Sequence, residues 1–409
     1  MFKPTNNSIR TADLNSSRSM IDKHMNPDTL CTGSYVQRFK ILLTCPPMLK
    51  QFDRYKQTAI DNGLDIFCAP VTQIMSEEEL IELVPQYDGW IIGDDPATRK
   101  VFEAGVKGKL KAAVKWGVGV DNVDFEACKD LNIPITNIPG VFGEEVSDVG
   151  IGYLLGLSRK LFEIDVGVKK GQWNKPCGSS LSGKKVCLIG FGDIGRCSAR
   201  KLLAFNLDVY VSDPGFKQLE NGVIECVYNP ELKVDKGLHK VRITSLEEAS
   251  KDCDYIFVTC ALTKHTHHLI HKDVILNAKK GVRIINVARG PVVYEKDVIE
   301  LLDTKHIDAV AFDVFEVEPL GLENPLRKFP QNIFGTHNGS NTIEGVDKTS
   351  YIAIDTITNY LTGKKIIPKE HDKSSVCNML PKIMSIVMPG LFLFIGYGMQ
   401  YLGKMEPSE

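Results

Sequence analysis

Three polar side chains of different chemistry follow consecutive apolar segments in the second half of the sequence. Arg289 lies in IINVARG, Glu318 in DVFEVEP and His337 in GTHNGS. A guanidinium grips a carboxylate with a planar fork and polarises a neighbouring carbonyl. An imidazole titrates near neutrality and donates a proton, and an adjacent carboxylate raises its pKa. Each residue alone could be an ordinary loop residue, but together they form the set that hydride reduction of a 2-keto acid requires.

A glycine-rich stretch upstream predicts a site for the hydride carrier. VCLIGFGDIGRC holds Gly190, Gly192 and Gly195 between an apolar strand and an amphipathic helix. These glycines permit a tight turn, close approach of a pyrophosphate and helix–strand packing, with the pyrophosphate on free N–H groups at the helix N-terminus. Asp213 ends the next predicted strand, where a carboxylate binds the ribose hydroxyls and repels a 2′-phosphate. The stretch therefore predicts NAD rather than NADP.

Strand-length apolar segments alternate with helical patterns along the chain. FKILLT, DIFCAP, GWIIG and AAVKWGVG precede a helical pattern from Glu144 to about Lys170, which we interpret as one long helix. KKVCLIG, DVYVSD, DYIFVTC, VRIINVA, IDAVAFDVF and NIFGTH follow it. This alternation predicts an α/β fold with parallel sheets, whose ligands lie at the carboxyl ends of the strands.

Composition excludes several other classes of protein. A length of 409 residues suits two domains. A formal net charge of -2 without a basic stripe argues against a nucleic-acid partner. Eleven cysteines without a CxxC pair predict reduced thiols and a cytoplasmic protein. The histidines of TKHTHHLIH could bind a metal, but we expect a loop before a short helix there and no metal site; they are His265, His267, His268 and His271.

Both ends of the chain differ in composition from the rest. Residues 1–38 are polar and predict a disordered leader, and their aspartates argue against a transit peptide. The tail, residues 366–409, contains an uncharged segment over 383–403 that is long enough to cross a bilayer. Two alternatives stay open for it: contact with a membrane, or packing on the protein or on a partner subunit.

Seven motifs occur in an order typical of one enzyme family: KWGVGVDNVD, NIPGVFGEEVSDVGIGYLLGLSRK, GQW, LIGFGDIGR, KKGVRIINVARGPVVYE, AFDVFEVEP and THNGS. Through these motifs, residues 39–364 resemble the D-isomer-specific 2-hydroxyacid dehydrogenases. Within that family, the resemblance is strongest to the phosphoglycerate dehydrogenase branch. The resemblance implies a Rossmann NAD-binding domain over 144–342 and a flavodoxin-like α/β substrate domain over 39–143 and 343–365. It also implies a homodimer formed partly by the helix from Glu144.

The resemblance assigns roles to individual residues. Arg289 would bind and polarise the substrate, His337 would be the proton donor, and Glu318 its paired acid. The turn Val118-Gly119 would bind the substrate carboxylate through backbone N–H groups. The residues expected to contact NAD, with Asp313 on the carboxamide, are Gly190, Gly192, Asp193, Ile194, Gly195, Asp213, Cys260, Val287, Ala288, Asp313 and Gly339.

The substrate stays open at the level of sequence. The first expectation is oxidation of 3-phosphoglycerate for serine synthesis, and reduction of glyoxylate or hydroxypyruvate is the alternative within the same class. A phosphate substrate would require further cations, for which Lys115 and Arg159 are candidates. A corepressor that senses NAD(H) is the alternative from another class. Three features depart from the family pattern: Thr336 replaces the usual Pro before the histidine, Trp116 follows Lys115, and a long segment after the ribose-binding acid could alter the adenosine edge.

Overall fold

The computed structural model describes residues 38–72 and 74–363. The predicted leader, apart from its last residue, and the apolar segment over 383–403 lie outside these ranges, so both stay predictions. Within the described ranges, no helix is both long enough and apolar enough to span a membrane.

A first parallel sheet is built from the early part of the chain. Its strands are β1 (Phe39–Leu43), β2 (Leu64–Cys68), β3 (Gly89–Ile92), β4 (Ala112–Lys115) and β5 (Ile135–Asn137). They lie in the order β2-β1-β3-β4-β5. The helices between them are α1 (Pro46–Lys50), α2 (Lys56–Asp61), α3 (Glu77–Leu83), α4 (Arg99–Lys107) and α5 (Phe125–Asp130). Consecutive β1 residues Ile41, Leu42 and Leu43 are fully buried, as expected for a sheet covered on both faces.

Two helices follow where the sequence predicts one. These are α6 (Gly143–Arg159) and α7 (Leu161–Lys169). Between them Lys160 has a φ of 54°, and a left-handed residue ends an α-helix. The prediction of one helix was wrong because the apolar spacing continues across the break, which no glycine or proline marks.

A second sheet of seven parallel strands carries the glycine-rich turn. In chain order the elements are β6 (Lys185–Ile189), α8 (Asp193–Ala204), β7 (Asp208–Ser212), the hairpin β8 (Phe216–Gln218) and β9 (Ile224–Cys226), β10 (Arg242–Ile243), α9 (Leu246–Ser250), β11 (Tyr255–Val258), α10 (Lys272–Leu276), β12 (Val282–Asn286), α11 (Glu295–Asp303), β13 (Ile307–Phe312) and β14 (Ile333–Phe334). The strand order is β10-β7-β6-β11-β12-β13-β14. The direction of succession reverses between β6 and β11, and ligands bind at such a switch point. The predicted α/β fold with parallel sheets is confirmed.

The chain then returns to the first sheet through α12 (Ile343–Thr362). Tyr55 Oη donates to Asp347 Oδ1 at 2.6 Å, and Trp116 Nε1 donates to Ser350 Oγ at 3.2 Å. Trp116 is thereby a buried anchor for α12 at the end of β4. The exact domain boundaries stay predictions.

The long segment after Asp213 folds as the antiparallel hairpin of β8 and β9. Phe216 of β8 packs edge-on against Phe191 of the glycine-rich turn, with ring centroids 5.2 Å apart. Ile224 and Cys226 of β9 are buried. The hairpin therefore supports the turn from the side of the expected adenosine site.

Candidate active site

The imidazole of His337 is held by a carboxylate from a neighbouring strand end. Its Nδ1 lies 2.9 Å from Glu318 Oε2, and the backbone N–H of Phe315 donates to Glu318 Oε1 at 2.9 Å. His337 itself has a φ of 54°, and its N–H donates to the Asp313 carbonyl at 2.7 Å. With Nδ1 engaged, Nε2 is the nitrogen left to exchange a proton with a substrate.

The surroundings of His337 favour its charged form. Burial lowers the pKa of the imidazole, but the hydrogen bond and the charge of Glu318 raise it by more. Arg289 lowers the same pKa, and Asp94 raises it. The net result is a pKa above the usual value, so the protonated donor form is more populated at a given pH than in a free imidazole.

Replacing Glu318 with Gln should shift the pH dependence of reduction. The amide keeps a hydrogen bond but removes the charge, so the pKa of His337 falls. Reduction uses protonated His337, and we expect kcat/KM for reduction to start falling at a lower pH, with about a tenfold loss at pH 8. Oxidation uses neutral His337 and should begin at a lower pH than in the wild type. Steady-state rates of reduction and of oxidation across pH test this prediction. A basic limb of the kcat/KM profile at the same pH as in the wild type would contradict it.

The guanidinium of Arg289 is positioned across the cleft by the substrate turn of the first sheet. Its Nε donates to Asp121 Oδ1 at 2.9 Å, and Nη1 donates to the Ala288 carbonyl at 2.9 Å. A Cβ at Gly119 would overlap the guanidinium in this position, so the glycine leaves room for the arginine to approach the turn. The N–H groups expected to bind a carboxylate, those of Val118 and Gly119, thus lie beside the arginine that would share it.

A second loop of the first sheet is tied to the same turn. The Asn122 amide donates to the carbonyls of Gly93 and Asp95 at 3.1 and 2.7 Å. Lys115, only 3% exposed, donates its ammonium to the Gly93 carbonyl at 2.6 Å and to Asp94 Oδ1 at 3.0 Å. Burial raises the pKa of Asp94, but the charges of Lys115, His337 and Arg289 lower it by more. Asp94 therefore shares the electrostatic environment of the two candidate catalytic cations.

The glycine-rich turn has the geometry of a pyrophosphate cradle. A Cβ at Gly190 would lie 2.7 Å from Cys260 Cα, and one at Gly195 would overlap the Gly190 carbonyl. A Cβ at Gly192 would meet nothing within 4 Å, which leaves open space before the first turn of α8. Burial raises the pKa of Cys260 to about 12, so its thiol stays neutral beside the turn.

The acid predicted to bind the ribose also fixes the turn. Phe191 N–H donates to Asp213 Oδ2 at 2.6 Å, and Gly215 N–H donates to Oδ1 at 2.7 Å. A cavity of about 420 Å³ opens beside this carboxylate, between β7 and the hairpin, with Lys217 and Thr244 in its lining. Together with the open face at Gly192, these features fit a dinucleotide.

The other predicted cofactor residues lie around the same strand ends. Val287 and Ala288 are buried after β12. Asp193 begins α8, with its carboxylate against Gly143, the first residue of α6. Ile194 follows it in α8 and is half-buried.

Asp313 is more heavily engaged by protein than the sequence indicates. Its Oδ1 accepts from Tyr153 Oη at 3.0 Å, and its Oδ2 accepts from Gly339 N–H at 2.9 Å. Its carbonyl binds the backbone of His337, as described above. Asp313 thus anchors the turn that presents the histidine. In the sequence, Tyr153 belongs to the apolar spacing of α6, and no signal distinguishes it from a core residue.

The histidines of TKHTHHLIH do not form a cluster of metal ligands. In the described part of the chain, no group of three or more His, Cys, Asp or Glu side chains has the geometry to hold an ion. His268 instead pairs with Glu316, its Nε2 lying 2.9 Å from Oε1.

Comparison with known proteins agrees with this geometry. Residues 151–339 match the NAD-binding domain of the D-isomer specific 2-hydroxyacid dehydrogenases. A glyoxylate reductase of Thermofilum pendens is 30% identical over 296 residues, covering 71% of this chain and 83% of the relative. A D-3-phosphoglycerate dehydrogenase of Methanocaldococcus jannaschii is 31% identical over 294 residues, covering 71% of this chain but 53% of the relative.

A solved structure shares the fold. A crystal structure of a protein from Thermus thermophilus matches with a TM-score of 0.67 at 26% identity, covering 79% of this chain and 97% of that one. The matching family model and the curated relatives name one group of enzymes, and the shared fold agrees with it. The chain therefore belongs to the D-isomer specific 2-hydroxyacid dehydrogenases, a family of NAD-dependent oxidoreductases.

Proposed function

We propose that the protein interconverts a small 2-keto acid bearing a single carboxylate, such as glyoxylate or hydroxypyruvate, with the corresponding hydroxy acid. The observation that carries this proposal is the pairing of charges around the site. Lys115 pairs with Asp94 at 3.0 Å, Arg289 with Asp121 at 2.9 Å and His337 with Glu318 at 2.9 Å.

Each cation of this set already has a carboxylate partner. Phosphoglycerate carries a carboxylate and a phosphate of nearly two negative charges at neutral pH. Binding of phosphate calls for further cations. Lys115, a candidate from sequence, is instead bound by a carbonyl and a carboxylate, and Asp94 would repel a phosphate placed near it. A substrate with a single carboxylate requires only one of these cations to exchange its protein carboxylate for that of the substrate.

The residues divide the chemistry between them. Arg289 and the N–H groups of Val118 and Gly119 hold the carboxylate and polarise the keto oxygen. NAD(H) supplies or accepts the hydride. In reduction, the Nε2 proton of His337 passes to the keto oxygen, and Glu318 stabilises the imidazolium until that transfer. In oxidation, neutral His337 removes the hydroxyl proton at the same atom.

Phosphoglycerate oxidation is the second candidate, because the Methanocaldococcus jannaschii relative carries that name. The chain spans about half the length of that relative. The cofactor-sensing corepressor stays an alternative prediction, and a protein of that class would bind NADH without turnover.

A substrate panel tests the proposal on the purified full chain. NADH absorbance is followed with glyoxylate, hydroxypyruvate and 3-phosphohydroxypyruvate as substrates. We expect kcat/KM for one of the unphosphorylated acids to exceed that for the phosphorylated acid at least tenfold, a difference of about 1.4 kcal/mol. Asp94→Asn, which removes a negative charge at nearly constant size, should narrow that ratio.

The outcomes separate the candidates. Preference for the phosphorylated acid would overturn the proposal in favour of the second candidate. NADH binding without turnover of any of the three would favour the corepressor alternative. Glu78→Gln, an exposed change at the start of α3, serves as the matched charge control for Asp94→Asn and should leave the ratio unchanged.

We also propose that the protein is a homodimer that buries α7. Four apolar residues of this helix and one just beyond it are between 46% and 79% exposed: Leu161, Phe162, Val166, Val168 and Trp173. An exposed apolar patch of this kind marks an interaction surface. A second copy of the chain is the occupant that the family resemblance implies.

Placing charge on this patch should dissociate the dimer. We expect Val166→Glu combined with Trp173→Ser to convert a dimer into a monomer of half the mass, because a carboxylate cannot be buried unpaired at an apolar interface. Light scattering coupled to gel filtration measures the mass. Tyr228→Ser, at an equally exposed aromatic beside the hairpin, should stay dimeric. A monomeric wild type would contradict the proposal.

A further inference from the structure

A second histidine–carboxylate pair joins the two segments that carry Arg289 and Glu318. His268 Nε2 lies 2.9 Å from Glu316 Oε1, with side chains 35% and 26% exposed. The ring of His268 also stacks on Tyr294 at a centroid distance of 4.3 Å. Glu316 is two residues from Glu318, and Tyr294 is five residues from Arg289, so the ring contacts both segments that carry catalytic candidates.

Backbone hydrogen bonds tie the His268 segment to the turn after Arg289. His268 N–H donates to the Pro291 carbonyl at 2.7 Å. Ile270 continues this pairing with two bonds, accepting from Tyr294 N–H at 3.0 Å and donating to the Val292 carbonyl at 3.0 Å. The position of the Arg289 backbone therefore depends on the segment that begins at His268.

The Glu318 segment is held against the same turn. A Cβ at Gly290 would overlap the backbone of Phe315, so the two segments touch without an intervening side chain. Glu316 N–H donates to Glu295 Oε1 at 2.7 Å, and Glu295 N–H reaches Glu316 Oε1 at 3.4 Å. Glu295 is buried at the start of α11 and fixes the backbone at Glu316. Glu316 Oε1 lies between Glu295 N–H and the His268 ring and contacts both.

We propose that His268 is a positioning residue that fixes the Arg289 and Glu318 segments relative to each other. Its side chain acts through Glu316 on Glu318, which holds the ring of His337. Its backbone N–H fixes Pro291, two residues after Arg289. This inference rests on the proposed roles of Arg289, Glu318 and His337.

The backbone of His268 allows a clean test. Its φ is 51°, a left-handed conformation that asparagine adopts more readily than most residues. His268→Asn should therefore keep the backbone and its bond to Pro291 while losing the contact with Glu316 and the stack on Tyr294. His265→Asn, an exposed position in the same segment, is the matched control.

We expect His268→Asn to lower kcat for reduction about tenfold, because a small displacement of catalytic groups is costly. The NADH dissociation constant and the melting temperature should match those of the control. The basic limb of the pH profile should move to lower pH, because Glu318 holds His337 less firmly. Glu316→Ala should reproduce these effects, and the double variant should lose no more than either single variant, since both changes break one contact.

NMR titration of histidine-labelled protein gives a readout that needs no turnover. A lower pKa of His337 in His268→Asn, unchanged in His265→Asn, supports the inference even if none of the panel substrates reacts. An unmoved His337 pKa overturns it. So does a fall in kcat that tracks a loss of melting temperature, because that result describes a structural role. Inactivity of the wild type on the panel bears on the proposed function instead, so the two failures are distinguishable.

Discussion

Replacing His337 with Asn should lower kcat for keto-acid reduction by about 10² to 10⁴, the usual contribution of a positioned general acid. Asparagine tolerates the left-handed backbone at this position, so the turn held by Asp313 should persist. The amide cannot give up a proton at neutral pH, and the new alkoxide would have to take one from water. Stopped-flow absorbance of NADH under single-turnover conditions measures the chemical step directly.

Binding measurements separate loss of chemistry from loss of structure in this variant. NADH affinity should be unchanged, because the glycine-rich turn and Asp213 lie on other strand ends. His239→Gln, at an exposed histidine near β10, should keep full activity. Retention of more than a tenth of the wild-type rate in His337→Asn would show that another group supplies the proton.

Replacing Arg289 with Ala should lower kcat/KM by about 10² to 10³, as expected when one partner of a hydrogen-bonded charge pair is removed. The loss has two sources. The substrate carboxylate loses its planar donor, and Asp121 is left without the guanidinium that it accepts from at 2.9 Å. Arg289→Lys keeps the charge but not the planar fork, and its kcat/KM should lie between those of the wild type and Arg289→Ala.

Asp121→Asn provides the companion measurement for Arg289. The amide oxygen can still accept from Nε, so the orientation of the guanidinium should persist, and we expect kcat/KM to change by less than tenfold. Michaelis parameters for all three variants test the assignment. An Arg289→Ala enzyme with the wild-type KM and kcat would remove the arginine from the site.

Local sequence patterns were enough to predict the fold and the strand ends that form the candidate site. The glycine spacing in VCLIGFGDIGRC could be interpreted without coordinates because the turn between a strand and a nucleotide-binding helix requires it. The structure shows close contacts at two of the three positions, between Gly190 and Cys260 and between Gly195 and the Gly190 carbonyl. Arg289, Glu318 and His337 could be grouped without coordinates because parallel strands end at one edge of a sheet. The structure brings Glu318 and His337 into contact, and the charge of Arg289 lowers the pKa of His337.

Long-range contacts were beyond this reasoning. Asp121 and Arg289 are 168 positions apart, and neither type nor spacing indicates that one holds the other. The sequence pattern indicates that Tyr153 is a core residue of α6, and only the structure shows that its hydroxyl donates to Asp313. The break at Lys160 depends on one backbone angle of a residue with no turn preference, and the β8–β9 hairpin occupies a segment without a strong strand pattern. In each case tertiary packing determines the contact or the backbone conformation, and a local sequence pattern does not encode that packing.

The pairing of each site cation with a carboxylate has a consequence for how substrate arrives. An electrically balanced cleft produces little long-range field, so capture of an anion gains little from electrostatic steering. Association should therefore respond only weakly to ionic strength, since there is little net potential for salt to screen. Selectivity then arises after collision, when a cation of the site exchanges its protein carboxylate for the carboxylate of the substrate. The Michaelis constant should therefore be nearly the same in dilute and in concentrated salt.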